Sequence, residues 1–311
     1  MKAAIINQYG GTDAIQISGN HTTPEAGDQR VLVEVHSASL NRIDSIIRAG
    51  YMHQMFPVPM PAVLGGDFSG RVREVGPNVT DIKVGDEVFG QAGVLLGGSG
   101  SLAEMAVAPA GKISRKPNKV SMAEAAAFPL AGSSAIQALE DYMKLKANQK
   151  ILIHGGAGGI GSIAIQIAKS LGAYVATTVA SDDIAFVKSL GADQIIDYKT
   201  EDVKTKIKDF DAVLVTAADA LPGSYGVLKK GGVLVALAGQ VDQQEADRHQ
   251  ITAVSQMTQS SSQQLSRLAE VIDSGKVKPQ VDKTFGFSEV KDAFNYFEQK
   301  HPKGKVVVNV R

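Results

Sequence analysis

Apolar and polar residues alternate in short runs over the first 120 residues, as in RVLVEVHSASL (30–40), GRVREVG (70–76) and GDEVFG (85–90). A period of two buries one face and wets the other, and glycine or proline interrupts nearly every run. This region is therefore predicted to be a barrel-like or irregular β domain. From about residue 121 the texture changes to strands that alternate with helical periodicity, the pattern of βαβ units on a parallel sheet. KILIH, AYVATTV, DQIIDY, DAVLVTA and GGVLVALAG, between residues 150 and 239, are five candidate strands. Between the first two, Ile160, Ile163, Ala164, Ile167, Ala168 and Leu171 fall on one helical face that ends at Gly172. A further helix is expected in SSSQQLSRLAEVIDSG, closed by Gly275, then VDKTFGF, a helix containing EVKDAFNYFEQK and a last strand KVVVNV. The run QAGVLLGGSGS (91–101) has the composition of a linker but sits inside the first region, where a mobile loop is expected.

Composition narrows the chemistry. Of 311 residues 44% are hydrophobic, and no apolar run approaches the roughly 20 residues of a membrane span. Nor does MKAAIINQYGG carry a secretory or transit pattern, so a cytoplasmic protein is expected. Lysine plus arginine equals aspartate plus glutamate at 32 each, which leaves no global field to attract nucleic acid or an acidic membrane. Zero cysteines exclude disulfides, thiolate catalysis and sulfur-ligated zinc. The six histidines are scattered, without the i, i+4 pair that puts two metal ligands on one helical face.

Gly156, Gly158 and Gly161 spell G-x-G-x-x-G between the first candidate strand and its helix. By itself the pattern is also that of a tight turn. In a βαβ unit, however, the N–H groups of Gly158, Gly159, Ile160 and Gly161 can face a pyrophosphate at the helix N-terminus, so dinucleotide binding is expected. The second strand ends in ATTVASDD. Thr178 at its tip offers no carboxylate to repel a 2′-phosphate, and Ser181 could donate to one, which favours NADPH. Asp182 and Asp183 follow at once with no arginine or lysine beside them, so NADH stays open as the lesser alternative.

Several motifs then stand in order along the whole chain: NRIDSIIRAG, VLGGDFSGRVREVG, KVGDEVFG, AAAFPLAGSSAIQAL, GGAGGIGSIAIQIAK, SLGADQIIDY and LAEVIDSGKVKPQVDKTF…HPKGKVVVNV. Together they resemble the medium-chain dehydrogenase/reductase superfamily, in its zinc-free quinone oxidoreductase branch. The resemblance implies an α/β protein with a GroES-like catalytic domain (1–122 and 276–311) and a Rossmann domain with a doubly wound parallel sheet (123–275), with the active site in the cleft between them. It also implies a homodimer. Where zinc-dependent members carry a cysteine and a histidine ligand, this chain has Asn41 and Gly66, so no metal is expected. Without a Lewis acid, oxidation of simple alcohols is disfavoured, whereas a quinone or enone delocalises the charge left by hydride. NADPH-dependent reduction of quinones or α,β-unsaturated carbonyls is the expected activity.

The same resemblance assigns residues. Asn41 and Asp44 are implied to line the cleft near the nicotinamide ribose, a turn and helix cap being the alternative. Arg48 is expected to pair with Asp44 or Asp67. Tyr51 could donate a proton to the substrate oxygen, although the place where relatives carry a tyrosine is Ile46 here. Ser134, Tyr198 and Lys305 match positions near the cofactor, and Leu237, Ala238 and Gly239 end the fifth strand, where ligands of parallel sheets sit. Val254 to Met257 are expected to edge the pocket, or to form core or a dimer contact. Two other readings remain at this point. One is a non-catalytic NADPH-binding structural or redox-sensing protein. The other is an enoyl thioester reductase, which calls for an arginine cluster at the mouth that the sequence does not show.

Overall fold

A computed structural model describes all residues from Met1 to Arg311. The chain first lays down strands β1 (Ala3–Ile6), β2 (Ile15–Ser18) and β3 (Arg30–Ser39), helix α1 (Arg42–Ala49), then β4 (Ala62–Val63), β5 (Asp67–Val75), β6 (Glu87–Gln91), β7 (Met105–Pro109) and β8 (Ile113–Arg115). Helices α2 (Met122–Ala126) and α3 (Pro129–Ile136) lead to β9 (Lys150–His154), α4 (Gly159–Ser170), β10 (Tyr174–Val179), α5 (Ile184–Ser189) and β11 (Gln194–Asp197). Then come α6 (Val203–Lys206), β12 (Phe210–Val215), α7 (Leu221–Ser224), β13 (Leu228–Ala236), α8 (Gln243–His249) and β14 (Thr252–Ser255). The chain closes with α9 (Ser262–Asp273), β15 (Val281–Gly286), α10 (Val290–Gln299) and β16 (Lys305–Asn309). No helix is long and apolar enough to cross a membrane.

Two compact units result, one of Met1–Leu130, Ser260–Asp273 and Val281–Arg311, the other of Ala131–Gln259 and Ser274–Gln280. In the first, a seven-stranded sheet runs β15-β16-β3-β5-β6-β8, with β7 also on β3, and a three-stranded sheet runs β2-β1-β4. β3 alternates in polarity, but contrary to the expected wet face it is buried on both sides, Leu32, Glu34 and Ser37 included. Val31, Val33 and Val35 of β3 pack with Phe68, Val72 and Val88 in one apolar cluster. A second cluster gathers Ile6, Leu40, Phe285 and Phe294, binding α10 and the returning C-terminal strands to the N-terminal ones.

α9 departs from expectation, since it belongs to this first unit and not to the nucleotide-binding segment. Its buried face is Leu265, Leu268, Val271 and Ile272, and Ser266 hydrogen-bonds Ser114 in the middle of β8, 3.0 Å apart. Asp273 accepts from Asn118 Nδ2 at 3.2 Å and from the Lys119 amide at 3.1 Å. Strand and helix pairing across about 150 residues leaves no trace in local periodicity. The glycine-rich run at 91–101 also differs from a loose loop. Gly98 and Gly100 lie so close to the Ala92 and Val63 carbonyls that a Cβ would sit 2.2 and 2.4 Å from them, and the Gly100 amide donates to Ala92 at 2.7 Å.

The second unit is a six-stranded parallel sheet in the order β11-β10-β9-β12-β13-β14. Numbered within the unit this is 3-2-1-4-5-6, the doubly wound order, whose ligand site lies beyond the carboxyl ends of the strands where the winding reverses. β14, the sixth strand, was not among the five candidates and overlaps, at Val254 and Ser255, the 254–257 stretch expected at the pocket edge, core or dimer contact. α4 is buried from Gly161 to Ala168 without interruption, not on one stripe. Its second face is covered because Gln166 donates to the Lys278 carbonyl at 3.0 Å and accepts from the Lys278 amide at 2.9 Å.

Candidate active site

In the first unit the site grows from the start of α1. Asn41 has extended backbone angles, and its main-chain N–H donates to Asp44 Oδ2 at 2.7 Å, so the acid three residues on closes the first turn. Gly50 ends the helix at φ 81°, where a Cβ would also meet the Tyr9 ring at 2.8 Å. This short helix carries Asp44 and Arg48 inward, 3% and 5% exposed.

Asp67, the first residue of β5, is fully buried and gathers the cluster. It accepts from Asn41 Nδ2 at 2.9 Å, from Gln91 Nε2 at 3.0 Å and from the Leu130 amide at 3.1 Å. Lys305 reaches in from β16, donating to the Leu40 carbonyl at 2.7 Å and to Asn41 Oδ1 at 2.5 Å, with Asp67 Oδ2 3.9 Å away. Lys305 is 4% exposed. The carboxamide of Asn41 is thus fixed in one orientation, its oxygen on an ammonium and its nitrogen on a carboxylate.

Burial dominates the electrostatics. It pushes the Asp44 carboxyl up to about 7; the Asn41 amide opposes the rise, Asp67 adds to it and Lys305 opposes it. Burial raises Asp67 as well, against the Lys305 charge and the donors Asn41, Leu130 and Gln91. It lowers Lys305, which the two carboxylates partly restore.

Three expectations are corrected here. Lys305 is not a solvated lysine but an interior member of this cluster, with its ammonium engaged by the Leu40 carbonyl and Asn41. Tyr51 lies in solvent at 83% exposure, with no hydrogen bond from its hydroxyl, because the chain has already turned outward after Gly50. Arg48 pairs with Glu298 at 3.2 Å and lies over the Phe294 ring, not against Asp44 or Asp67. Its Nε and Nη1 are buried without partners.

In the second unit the glycine turn leaves β9. A Cβ on Gly156 would fall 2.0 Å from Thr177 Oγ1, and one on Gly161 would fall 2.2 Å from the Gly155 carbonyl, so both positions admit only glycine if strand and helix are to touch. Gly158 differs, because a Cβ there meets only the Gly155 carbonyl, at an ordinary 3.5 Å. Gly158 caps α4 with no side-chain hydrogen bond, which leaves the first N–H groups of Gly159, Ile160 and Gly161 for an anion. A dinucleotide pyrophosphate fits this cradle.

Around the turn lie the strand ends. Thr178 is not at an open tip. It is 4% exposed, and its hydroxyl accepts from the Gly155 amide at 3.3 Å and stands 3.1 Å from His154 Nδ1. Since the Ser224 hydroxyl donates to the Ala220 carbonyl, His154 Nε2 must donate to it, and Nδ1 then accepts from Thr178. Burial holds this imidazole at about 4, neutral, behind the turn. Ser181 is exposed, but its hydroxyl is engaged by the Asp197 carboxylate, which that bond holds below its ordinary value.

Tyr198 (55% exposed) and the exposed Lys199 follow Asp197 at the end of β11. Leu237, Ala238 and Gly239 follow β13, with the Leu237 amide on the Val215 carbonyl at 2.9 Å and Gly239 at φ 84°. Ser134 is buried in α3, 2.8 Å from Thr258 Oγ1, with its carbonyl accepting from Gln256. Sequence reasoning missed Asp67 as the hub, Gln91, His154, Asp197 and Lys199. The motif IIDY contains Asp197, and attention to the aspartate as well as the tyrosine would have found it.

No group of three or more histidine, cysteine, aspartate or glutamate side chains could hold a metal. The place implied for zinc in the first unit offers an amide at Asn41, no side chain at Gly66 and the competing ammonium of Lys305, a donor set that does not suit zinc.

Residues 27–118 match the alcohol dehydrogenase GroES-like domain, and residues 190–308 match the zinc-binding dehydrogenase family. The chain is 38% identical over 316 residues to the chloroplastic NADPH-dependent alkenal/one oxidoreductase of Arabidopsis thaliana, spanning 99% of this chain and 79% of that protein. It is 36% identical to the 2-methylene-furan-3-one reductase of Solanum lycopersicum, with coverages of 99% and 79%. Among solved structures, a quinone oxidoreductase from Coxiella burnetii superposes with a TM-score of 0.90 at 33% identity, covering 100% of this chain and 99% of that one. The Escherichia coli quinone oxidoreductase complexed with NADPH gives 0.86 at 25% identity, covering 99% and 100%. With the GroES-like unit, the doubly wound sheet and these relatives together, the chain belongs to the medium-chain dehydrogenase/reductase superfamily, in its quinone oxidoreductase branch.

Proposed function

We propose that this oxidoreductase transfers hydride from NADPH to quinones or α,β-unsaturated carbonyls without a zinc ion. The observation that carries the reading is the glycine turn. Gly156 and Gly161 bring the strand and the uncapped end of α4 together, and Gly158 leaves room for a phosphate. The bound coenzyme would supply the hydride. The chain's own part is to bind and orient: main-chain amides on the pyrophosphate, and the Tyr198 ring and Lys199 ammonium beside the adenosine end. The Lys199 cation and the NADPH-dependent relatives support NADPH, whereas the Asp197 carboxylate beside Ser181 works against a 2′-phosphate and leaves NADH as a weaker donor.

The acceptor class follows from the first unit. A donor set unsuited to zinc leaves only hydrogen bonds to polarise the acceptor, which favours a substrate that stabilises its own anion by conjugation. Asn41 Nδ2 carries two hydrogens and spends one on Asp67, which leaves the second for an acceptor oxygen. Oxidation of NADPH and NADH against quinones, enones, alkenals and saturated aldehydes, with and without a strong chelator, tests the reading. NADPH-linked turnover of conjugated acceptors, indifferent to the chelator, is expected. Turnover of saturated substrates alone, or activity lost to the chelator and restored by zinc, would overturn it. A cytoplasmic homodimer is part of the proposal; the dimer is supported by β14, whose outer side is a sheet edge near the exposed Met257.

A further inference from the structure

We propose that Asp44 is the proton donor of the reaction, acting from its Oδ1 through the open space above Gly66. The inference rests on the hydride-transfer reading. Hydride added to a conjugated acceptor leaves an oxyanion that must be protonated, and Tyr51, the one donor the sequence suggested, faces solvent.

The two oxygens of Asp44 are in different situations. Oδ2 accepts from the Asn41 amide at 2.7 Å, which holds the carboxyl plane in place. Oδ1 accepts nothing from the protein, yet it is not among the polar atoms sealed without a partner. It looks into a gap. A Cβ on Gly66 would stand 3.7 Å from Asp44 Oδ1 and within 4 Å of no other atom beyond its chain neighbours. Asn41 Nδ2 donates to Asp67, the residue that follows Gly66, and its second amide hydrogen is free for the acceptor oxygen.

The surroundings keep a proton on this carboxyl at neutral pH. Asp67 faces it from β5 and Lys305 from β16, while Arg48, one turn along α1, is turned to Glu298 of α10. Lys305 is the one cation within the Asn41 cluster and lies 3.9 Å from Asp67, so the second carboxylate is left to be neutral. Consistently, burial lifts Asp44 to about 7. In the step, the acceptor's electrophilic carbon gains hydride and its conjugated electron pair moves to oxygen. The O–H bond at Oδ1 breaks, an O–H bond forms on the acceptor, and the Asp44 carboxylate regains a proton from solvent.

The test pairs Asp44→Asn with Gly66→Ala. In the coenzyme-free protein labelled with 13C at aspartate carboxyls, one carboxyl titrating near 7 is expected in the wild type and absent from Asp44→Asn. In turnover, kcat of the wild type is expected to fall as pH rises above about 7, where the acid form is lost. Asp44→Asn, which can still accept from the Asn41 amide, should lose that pH dependence and about 100-fold or more in kcat, with little change in KM for the coenzyme. Gly66→Ala puts a methyl in the gap at a tolerated distance, and should slow turnover while the carboxyl titration persists. A wild-type pH profile retained in Asp44→Asn, no carboxyl titrating near 7, or a Gly66→Ala enzyme of unchanged rate would each overturn the inference while the hydride-transfer reading stands. Oxidation of neither coenzyme by any conjugated acceptor would overturn both.

Discussion

Replacing Lys305 with methionine tests whether this lysine holds the interior of the first unit or serves a ligand. Methionine keeps the length and apolar stem of lysine and removes one charge. The loss takes a donor from the Leu40 carbonyl and from Asn41 Oδ1, and takes the compensating cation from Asp67, 3.9 Å away. Asp67 retains Asn41, Gln91 and Leu130 as donors, so the deficit is that of one partner removed from a buried pair, about 3–5 kcal/mol. At a few degrees per kcal/mol, melting should fall by about 10 °C. The deficit has a pH signature. Without the ammonium, the remaining carboxylates take up protons more readily, so the loss should be greater at pH 8 than at pH 5, where neutral carboxyls no longer need a cation. Asn41 loses its fixed orientation, and kcat should fall about tenfold or more. Differential scanning calorimetry at both pH values and coenzyme titration by calorimetry read these effects separately. Coenzyme affinity should be nearly unchanged. A variant of unchanged melting temperature that binds coenzyme much more weakly would show that Lys305 reaches the ligand, and would refute the buried-cluster account.

Gly161→Ala forces a methyl to within 2.2 Å of the Gly155 carbonyl, so β9 and α4 must separate and stability should fall by about 1–3 kcal/mol in denaturant titrations, with coenzyme binding lost. Gly158→Ala has room for its methyl and should melt like the parent while binding coenzyme more weakly, since the added carbon points where a phosphate would lie. The His154 imidazole gives up its proton at about 4 when folded and at about 6.5 when unfolded, so between these values the unfolded state binds the extra proton. Stability is intact above 6.5 and falls as pH drops toward 4, by on the order of 3 kcal/mol, a slope that His154→Gln should remove from an acid denaturation curve. Lys199→Glu should raise KM for NADPH far more than for NADH; equal effects would dissociate this lysine from the 2′-phosphate. Met257→Asp, a charge set beside the outer side of β14, should leave a monomer by light scattering if that edge forms the dimer.

Much of the architecture was legible because burial writes itself into period. The run ILI of KILIH is apolar because β9 is buried on both faces, whereas β3 alternates in polarity yet is buried from Val31 to Val35, so its pattern understated how far its sheet is covered. The elements that escaped are those held by partners far along the chain. α9 has an ordinary amphipathic pattern, and nothing local reveals that its apolar stripe and Asp273 meet residues near 114–119 and not the adjoining sheet. α4 was expected to have one wet side, but a seven-residue return, 274–280, covers it through Gln166.

For the site, spacing located the residues but not their sense. G-x-G-x-x-G specifies geometry that only close backbone approach explains, so the glycine positions were readable one by one. Lys305, Thr178 and Ser181 were assigned to a ligand because a polar residue near a site is equally consistent with facing the ligand or facing inward. The difference lies in long-range pairing: Lys305 is turned inward by β16 lying against β3, which puts Leu40 and Asn41 within reach of its ammonium. The same pairing gives Asp44 its unusual proton affinity, since a carboxyl three residues from an asparagine is an ordinary helix cap until a second buried acid shares its only nearby lysine. A residue's chemistry here is thus a property of the charge count in its cluster, which folding assembles from α1, β5 and β16, and a substitution at any one of the three should be read through the protonation of the other two.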